Sequence, residues 1–218
     1  MPDKKKIFIV DDHAVLRDGL AELINQSEEL AVCGEAASAE EALERISQAS
    51  PDLALVDLTL PAMSGMDLIS TLRAKHPSVK ILVLTMHDEA LYAERAVKAG
   101  ARGYIMKHQV AREVQDAIRT VLSGELYLSP KVSKQILEAA LQSGASRENS
   151  PPDLLSDREL EVFKMIGRGM GATEIARKLR LNVKTIETYQ ARMKEKLGAK
   201  DSAQLYQQAV TWSQKNEV

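Results

Sequence analysis

The feature that most constrains this chain is a regular alternation of short apolar runs and amphipathic stretches over its first 123 residues. Each run is rich in Val, Ile and Leu and is apolar on both faces, which is typical of strands buried between helices. The runs occupy residues 7–10, 30–33, 53–56, 81–84 and 104–106. The intervening patterns predict helices at about residues 15–24, 39–48, 66–75, 89–99 and 112–123. This order predicts an α/β doubly wound five-stranded parallel sheet with helices on both faces.

After residue 154 the strand signals stop, and the sequence predicts a small all-α domain. A helix start is expected at Ser156, because Glu159 follows it three residues later as in a capping box. The predicted helices cover residues 157–168, 173–180, 183–197 and 201–212. A helix at about 131–142 and the polar, proline-containing stretch SGASRENSPPD at 143–153 lie between the two halves and predict a linker. We therefore predict a first domain at 1–123, a linker with a short helix at 124–153, and a second domain at 154–218.

Charge is distributed unevenly along the chain. The formal net charge of −2 combines 14 basic and 19 acidic side chains in residues 1–123, 3 basic and 4 acidic ones in residues 124–153, and 12 basic and 8 acidic ones in residues 154–218. A nucleic acid is therefore sought at the basic, carboxyl-terminal end. A solvated helical surface often carries as much positive charge, so the charge alone decides nothing.

The chain has the composition of a globular protein and shows no membrane segment. No apolar run approaches 18 residues, and the amino-terminal run is too short for a signal peptide. The single cysteine, Cys33, lies in an apolar run and is interpreted as a small core residue in a reducing compartment. We expect a soluble, cytoplasmic protein that needs no membrane contact.

Polar residues follow four of the five predicted strands. Because the carboxyl ends of parallel strands meet at one rim, we expect these residues to lie together: Asp11 and Asp12 after the first strand, Asp57 after the third, Thr85 after the fourth and Lys107 after the fifth. Three converging carboxylates repel each other unless a divalent cation joins them, and an all-oxygen ligand set suits Mg²⁺. With a lysine and a hydroxyl nearby, the rim fits phosphoryl transfer to a carboxylate. A solvated loop or a helix N-cap is the alternative explanation for any single acid.

At these residues the first half resembles the receiver domain of two-component response regulators, a flavodoxin-like fold. The resemblance rests on IFIVDD, on LALVDLTLP with Pro61 four residues past Asp57, on ILVLT and on GYIMK, and it covers residues 5–123. It implies that Asp57 accepts a phosphoryl group from a sensor histidine kinase. The implied ligands of Mg²⁺ are Asp11, Asp12, Asp57 and the backbone carbonyl of Thr59.

The same resemblance gives roles to residues around the phosphoryl group. It implies that Thr85 and Lys107 bind the phosphoryl group and that Tyr104 is the switch aromatic residue, with plain core packing as the alternative for Tyr104. His87 corresponds to a position that tunes dephosphorylation in the family, and a surface-loop residue is an equally good interpretation. We interpret His13 as a helix-start residue rather than a metal ligand.

The stretch TEIARKLRLNVKTIETYQARMKEKL at 173–197 predicts two short helices joined by a tight turn. This pattern is typical of a helix-turn-helix, whose second helix enters the major groove of double-stranded DNA. Basic side chains on that helix would bind phosphates, and residues near its start would meet base edges. The outward positions are Lys184, Thr185, Glu187, Thr188, Ala191, Arg192, Lys194 and Lys196. By periodicity alone, a solvated basic helix remains the alternative.

Residues 154–215 resemble the LuxR-type DNA-binding domain of the NarL/FixJ class, through LSDRELEVF and the run VKTIE to KLGAKD. Tyr189 stands where members commonly have His, and Gln190 replaces a common basic residue. Asn182 stands at a usual Ser cap position, which it can serve equally well. A homodimer is expected, because two-fold helix-turn-helix proteins bind paired half-sites. The resemblance implies that helix 201–212, with Leu205 and Val210, forms the dimer contact in the DNA-bound form.

Together the two resemblances predict a phosphorylation-controlled transcription factor, not an enzyme. Two rival hypotheses remain. A phosphohydrolase with Asp57 as nucleophile would need a nearby general acid or base, but Asp57-Leu58-Thr59 has threonine at the position of that acid. A receiver that acts without phosphorylation would bind DNA constitutively, and an Asp57→Asn variant with unchanged output would support it.

Overall fold

The five apolar runs form the five strands of a single parallel sheet, as the sequence predicts. In this computed structural model the strands are β1 (Lys5–Val10), β2 (Leu30–Ala36), β3 (Leu53–Val56), β4 (Lys80–Thr85) and β5 (Gly103–Met106). Their order across the sheet is β2-β1-β3-β4-β5. The predicted doubly wound α/β fold is therefore confirmed. The second strand is three residues longer than predicted, because Gly34 and Glu35 interrupt its apolar pattern without ending its pairing with β1.

Helices follow the strands and cover both faces of the sheet. They are α1 (Ala14–Asn25), α2 (Ala39–Ala49), α3 (Gly65–Lys75), α4 (Glu89–Ala99), α5 (Val110–Ser123) and α6 (Pro130–Leu141). Side chains of α1 and α5, such as Leu20 and Ile118, pack with Ile9 and Leu55 in one fully buried core. Such burial is the main source of stability for the sheet that positions the strand ends.

The chain divides into two compact units, residues 1–143 and 144–218. The structure describes residues 4–141 and 151–216. Most of the predicted flexible linker at 143–153 lies outside the described residues. Its last residues are different from the prediction, because α7 (Pro151–Leu154) forms a short helix there.

The beginning of the predicted linker is part of the first unit. Tyr127 forms a parallel bridge with Gly103, and its carbonyl accepts the Tyr104 N–H at 2.9 Å. The Tyr127 hydroxyl donates to Glu113 at 2.9 Å. Residue 127 therefore extends the sheet beyond the edge strand β5, which the sequence pattern did not indicate.

The second unit is helical throughout its described part. Its main helices are α8 (Asp157–Gly167), α9 (Ala172–Leu179), α10 (Val183–Leu197) and α11 (Ser202–Asn216). The capping box at Ser156 is present, because the Glu159 carboxylate accepts the Ser156 N–H at 2.8 Å and Ser156 Oγ accepts the Glu159 N–H at 3.4 Å. Phe163 and Ile186 are fully buried in the core of this unit.

Candidate functional site

The carboxyl ends of β1 and β3 bring Asp11 and Asp57 to one buried pocket. These two residues are 1% and 2% exposed. Lys107, directly after β5, reaches both of them, with its Nζ 2.7 Å from Asp11 Oδ2 and 2.7 Å from Asp57 Oδ2. The convergence of the first, third and fifth strand ends, predicted from the sequence, is therefore present in the structure.

Two residues that the sequence pattern did not single out hold this pocket together. Gly65 begins α3 against the loop that follows β3, where a Cβ atom would lie 2.0 Å from the backbone oxygen of Asp57. Arg17 of α1 donates from Nη1 to the backbone carbonyl of Asp11 at 2.6 Å. Both contacts depend on how the folded chain packs, so the pattern of apolar and polar residues along the sequence does not predict them.

The electrostatics of the pocket are dominated by burial and by the unequal number of charges. Burial raises the pKa of Asp57 to about 6; the Lys107 ammonium opposes this rise and the neighbouring Asp11 adds to it. Burial alone would lower the pKa of Lys107, but the Asp57 and Asp11 carboxylates raise it above its ordinary value. One lysine does not balance the acids, so the pocket favours an additional cation.

Asp12 and His13 complete an acidic cluster next to Asp11 and Asp57. One ligand atom of each of these four residues lies within 4.8 Å of the others. Carboxylate oxygens in this number suit a hard divalent ion, so the donor set fits the Mg²⁺ implied by the receiver resemblance. His13 occupies the N-cap position of α1, as predicted, but its ring also contacts the acids, which was not predicted.

Thr59 lies two residues past Asp57 and contacts it through the backbone. The Thr59 N–H donates to Asp57 Oδ1 at 3.1 Å. The Thr59 hydroxyl lies 2.9 Å from His87 Nε2, so the loop after β3 is joined to the loop after β4. The role of the Thr59 carbonyl as a metal ligand stays a prediction.

Thr85, His87 and Tyr104 form a connected chain at the ends of β4 and β5. Thr85 is fully buried, and its Oγ1 accepts the His87 N–H at 3.2 Å. The Tyr104 hydroxyl donates to the His87 carbonyl at 2.9 Å. Burial, reinforced by nearby anionic groups, raises the pKa of Tyr104 well above its usual range, so this hydroxyl keeps its proton. Tyr104 is thus both a core side chain and a contact to the loop that leads into α4.

In the second unit, α10 presents one face to its own core and the opposite face to solvent. Ile186 and Met193 are fully buried. Among the predicted DNA contacts, six side chains are exposed and two are half-buried. The exposed ones are Lys184, Glu187, Thr188, Ala191, Arg192 and Lys196, and the half-buried ones are Thr185 and Lys194. Asn182 caps this helix by accepting the Lys184 N–H at 2.9 Å.

Comparison with known proteins identifies both units. Residues 7–119 match the family described as response regulator receiver domain, and residues 153–209 match the bacterial regulatory proteins of the luxR family. Over 209 residues, the chain is 35% identical to the oxygen regulatory protein NreC of Staphylococcus carnosus, covering 94% of this chain and 96% of that protein. The chain belongs to the LuxR-type two-component response regulators.

Solved structures show the same architecture. A LuxR-family response regulator from Aurantimonas sp. SI85-9A1 is 34% identical, covers 64% of this chain and 100% of that chain, and has a TM-score of 0.58. RcsB of Salmonella typhimurium is 24% identical, covers 94% and 98% of the two chains, and has a TM-score of 0.60, which supports the fold alone. As a member of this family, the response regulator is a phosphorylation-controlled, DNA-binding transcriptional regulator, and its partners are a sensor kinase and DNA.

Three side chains in the second unit of the response regulator have contacts that the sequence did not indicate. Lys196 Nζ donates to Glu159 Oε2 at 2.6 Å, so it ties α10 to the start of α8. Gln190 Nε2 lies 3.4 Å from the Tyr206 hydroxyl of α11. Leu205 is fully buried in the unit's own core, so its predicted place in a dimer contact is wrong, whereas Val210 is 36% exposed.

No helix in residues 4–141 or 151–216 of the response regulator is long and apolar enough to cross a membrane.

Proposed function

We propose that Asp57 is the residue that accepts the phosphoryl group from the histidine kinase. A carboxylate oxygen of Asp57 attacks the phosphorus of a phosphohistidine, the P–N bond breaks, and the imidazole leaves with the bonding electron pair. The proposal rests chiefly on the buried Lys107, whose ammonium contacts Asp57 and Asp11 at 2.7 Å each. This ammonium lowers the pKa of Asp57 against the effect of burial and so favours the charged carboxylate. It also offsets the negative charge of the incoming phosphoryl group.

We propose that Asp11, Asp12, Asp57 and the Thr59 carbonyl hold Mg²⁺ in the pocket. When bound, Mg²⁺ supplies positive charge that neutralises the phosphoryl oxygens. The chain's own residues orient the acceptor, because Lys107 contacts Asp57 Oδ2 and the Thr59 N–H contacts Asp57 Oδ1. Each oxygen of Asp57 thus has its own donor, which fixes the orientation of the carboxylate.

The proposed switch begins at Thr85. Its hydroxyl oxygen accepts the His87 N–H, and a phosphoryl group on Asp57 would accept the Thr85 O–H and draw this side chain towards Asp57. The loop would then shift together with the Tyr104 hydroxyl, which is bonded to the His87 carbonyl. Glu89, the first residue of α4, accepts the Ser129 N–H at 3.0 Å, so a shift of α4 reaches the start of α6.

The proposed output is sequence-specific DNA binding by α10. Exposed Arg192 would bind DNA phosphates, and Lys184, Thr188 and Ala191, which are also exposed, would meet base edges. The half-buried Lys194 and Thr185 and the exposed Glu187 would line the flanks of the groove.

We propose that two copies bind paired half-sites in the cytoplasm, which is the usual arrangement for helix-turn-helix proteins. The aspartyl-phosphate serves as a signal rather than as an intermediate of substrate turnover. The domains proposed are 1–123 and 154–218, with Tyr127 of the linker packed against the first of them.

The test is intact-mass analysis of the full chain after incubation with acetyl phosphate, with and without Mg²⁺. Asp57→Asn is compared with Asp52→Asn, a matched control because Asp52 precedes β3 whereas Asp57 follows it. Wild type and Asp52→Asn are expected to gain one phosphoryl group only with Mg²⁺, and Asp57→Asn is expected to gain none. Equal phosphorylation of Asp57→Asn would overturn the assignment.

A further inference from the structure

Besides its carboxylates, the acidic cluster contains one nitrogen donor, the imidazole of His13. Its Nδ1 lies 2.8 Å from Asp12 Oδ1 and 3.2 Å from Asp11 Oδ1. The spread of 4.8 Å over the four ligand atoms includes Asp57. Atoms that share one ion at bond lengths of about 2.1 Å lie about 3–4 Å apart, so small side-chain adjustments bring these atoms onto a common ion.

The backbone around His13 directs the imidazole to the acids. The His13 N–H donates to Asp11 Oδ1 at 2.9 Å, which ties the residue to the pocket. Although His13 occupies the N-cap position of α1, its side chain makes no capping hydrogen bond to that helix. The ring is 65% exposed and reaches the pocket from the solvent side, so it can turn towards an entering ion without disturbing the core.

The pocket has two sides with different partners. Lys107 contacts the Oδ2 atoms of both Asp11 and Asp57. Asp11 Oδ1 instead faces His13, and Asp57 Oδ1 faces the backbone of Thr59. The lysine therefore occupies the phosphoryl side, and His13 lies on the side where a cation is held by the remaining carboxylate oxygens.

We propose that His13 is a nitrogen ligand of the divalent cation in this pocket, which raises the affinity for ions such as Co²⁺ relative to Mg²⁺. The inference rests on the proposed phosphoacceptor function, which gives the reason for a cation at this place. Oxygen-only sets suit Mg²⁺, whereas an imidazole adds affinity mainly for transition ions. The consequence is a receiver pocket whose cation preference depends on one exposed histidine.

The experiment measures Co²⁺ and Mg²⁺ binding to the full chain by calorimetry and the ligands of bound Mn²⁺ by pulsed electron paramagnetic resonance with ¹⁵N-labelled histidine. His13→Asn is the test variant, because asparagine keeps a good N-cap for α1. His76→Asn is the matched control, since His76 ends α3 away from the cluster. Acetyl phosphate labelling is measured in parallel for each variant.

In wild type and His76→Asn we expect a ¹⁵N coupling to Mn²⁺, and in His13→Asn we expect its loss. Affinity for Co²⁺ should fall roughly tenfold or more in His13→Asn, as is usual when a metal site loses a residue that binds the ion or orients its ligands. Affinity for Mg²⁺ should change by less than about twofold. Absent ¹⁵N coupling, or equal Co²⁺ affinity in wild type and His13→Asn, overturns the role of His13. If labelling of Asp57 persists in that case, the proposed function still stands. A wild type that gains no phosphoryl group in Mg²⁺ overturns the proposed function, whatever the ¹⁵N coupling shows.

Discussion

The two functional regions of this chain are built in opposite ways. In the receiver pocket, the side chains of Asp11, Asp57 and Lys107 are buried, and Lys107 contacts each of the two acids at 2.7 Å. On α10, Lys184 and Arg192 are exposed, and their positions are fixed by the backbone of the helix rather than by contacts with each other. The pocket therefore couples function to folding, whereas the DNA-binding face can be altered at little cost to the fold.

The largest effect on folding is expected from Gly65→Ala in the pocket. The new Cβ atom would lie 2.0 Å from the Asp57 carbonyl oxygen, so the backbone must move. We expect a loss of about 3 kcal/mol or more in unfolding free energy, measured by urea titration with circular dichroism. Gly19→Ala is the matched control, because a Cβ on Gly19 in α1 meets nothing within 4 Å, and it should stabilise by about 0.5–1 kcal/mol. Equal effects of the two substitutions would contradict the close approach at Gly65.

Next in size is Lys107→Met in metal-free buffer. The substitution leaves Asp11 and Asp57 buried without their shared cation, and we expect a loss of about 3 kcal/mol in unfolding free energy. Adding Mg²⁺ should restore part of the loss. As control, Lys98→Met removes an exposed lysine paired with Glu94 on α4 and should cost less than about 0.5 kcal/mol. If Lys107→Met were as mild as Lys98→Met, the pocket would not depend on this ammonium.

On the DNA-binding face, Arg192→Ala and Lys196→Ala are expected to differ. Arg192 is exposed, so its loss should weaken binding to all duplexes and reduce the slope of log affinity against log salt by about 1. Lys196 is bonded to Glu159, so Lys196→Ala should change this slope less and lower the stability of the second unit more. Affinity measured by fluorescence anisotropy at several salt concentrations separates the two effects. Identical slopes for both variants would contradict the distinction.

The smallest effect is a pH dependence at Glu159. Burial raises the pKa of Glu159, but hydrogen bonds from Lys196 and Ser156 outweigh burial and lower it below its ordinary value. The folded state therefore favours the carboxylate, so its contribution to stability is present above the unfolded pKa of about 4.3 and is lost as pH falls below it.

This loss can be followed in the second unit alone, because the chain's single tryptophan, Trp212, lies there 5.9 Å from the Phe163 ring. Urea midpoints from Trp212 fluorescence should fall between pH 6 and pH 3.5 in wild type and fall less in Glu159→Gln. An equal fall in both would show that other groups carry the pH dependence.

The sequence was sufficient where local pattern and topology agree. Five apolar runs predicted the sheet, and the rule that parallel strands end at one rim brought Asp11, Asp57 and Lys107 together. The Ser156 capping box and the Asn182 cap were also predictable, because their partners lie within three residues.

The features that were missed depend on contacts between distant parts of the chain. Gly65 matters only because α3 begins against Asp57, and Lys196 meets Glu159 from 37 positions away. The burial of Leu205 is set by tertiary packing, which helical periodicity alone does not determine. The direction of the His13 ring is a local feature, set by the backbone and by Asp11 and Asp12, that residue spacing does not reveal. Residue 127 was assigned to the linker because a single bridging residue leaves no strand pattern.

The most direct test of the account compares DNA binding before and after phosphorylation at a fixed salt concentration. The full chain and Asp57→Asn are titrated onto a duplex enriched from a randomised library, with and without acetyl phosphate and Mg²⁺. We predict that phosphorylation changes the apparent Kd of the wild type by about tenfold, within the usual range of coupling between two sites, and leaves Asp57→Asn unchanged. An identical Kd for wild type under both conditions, despite full labelling of Asp57, would contradict the control of DNA binding by the receiver.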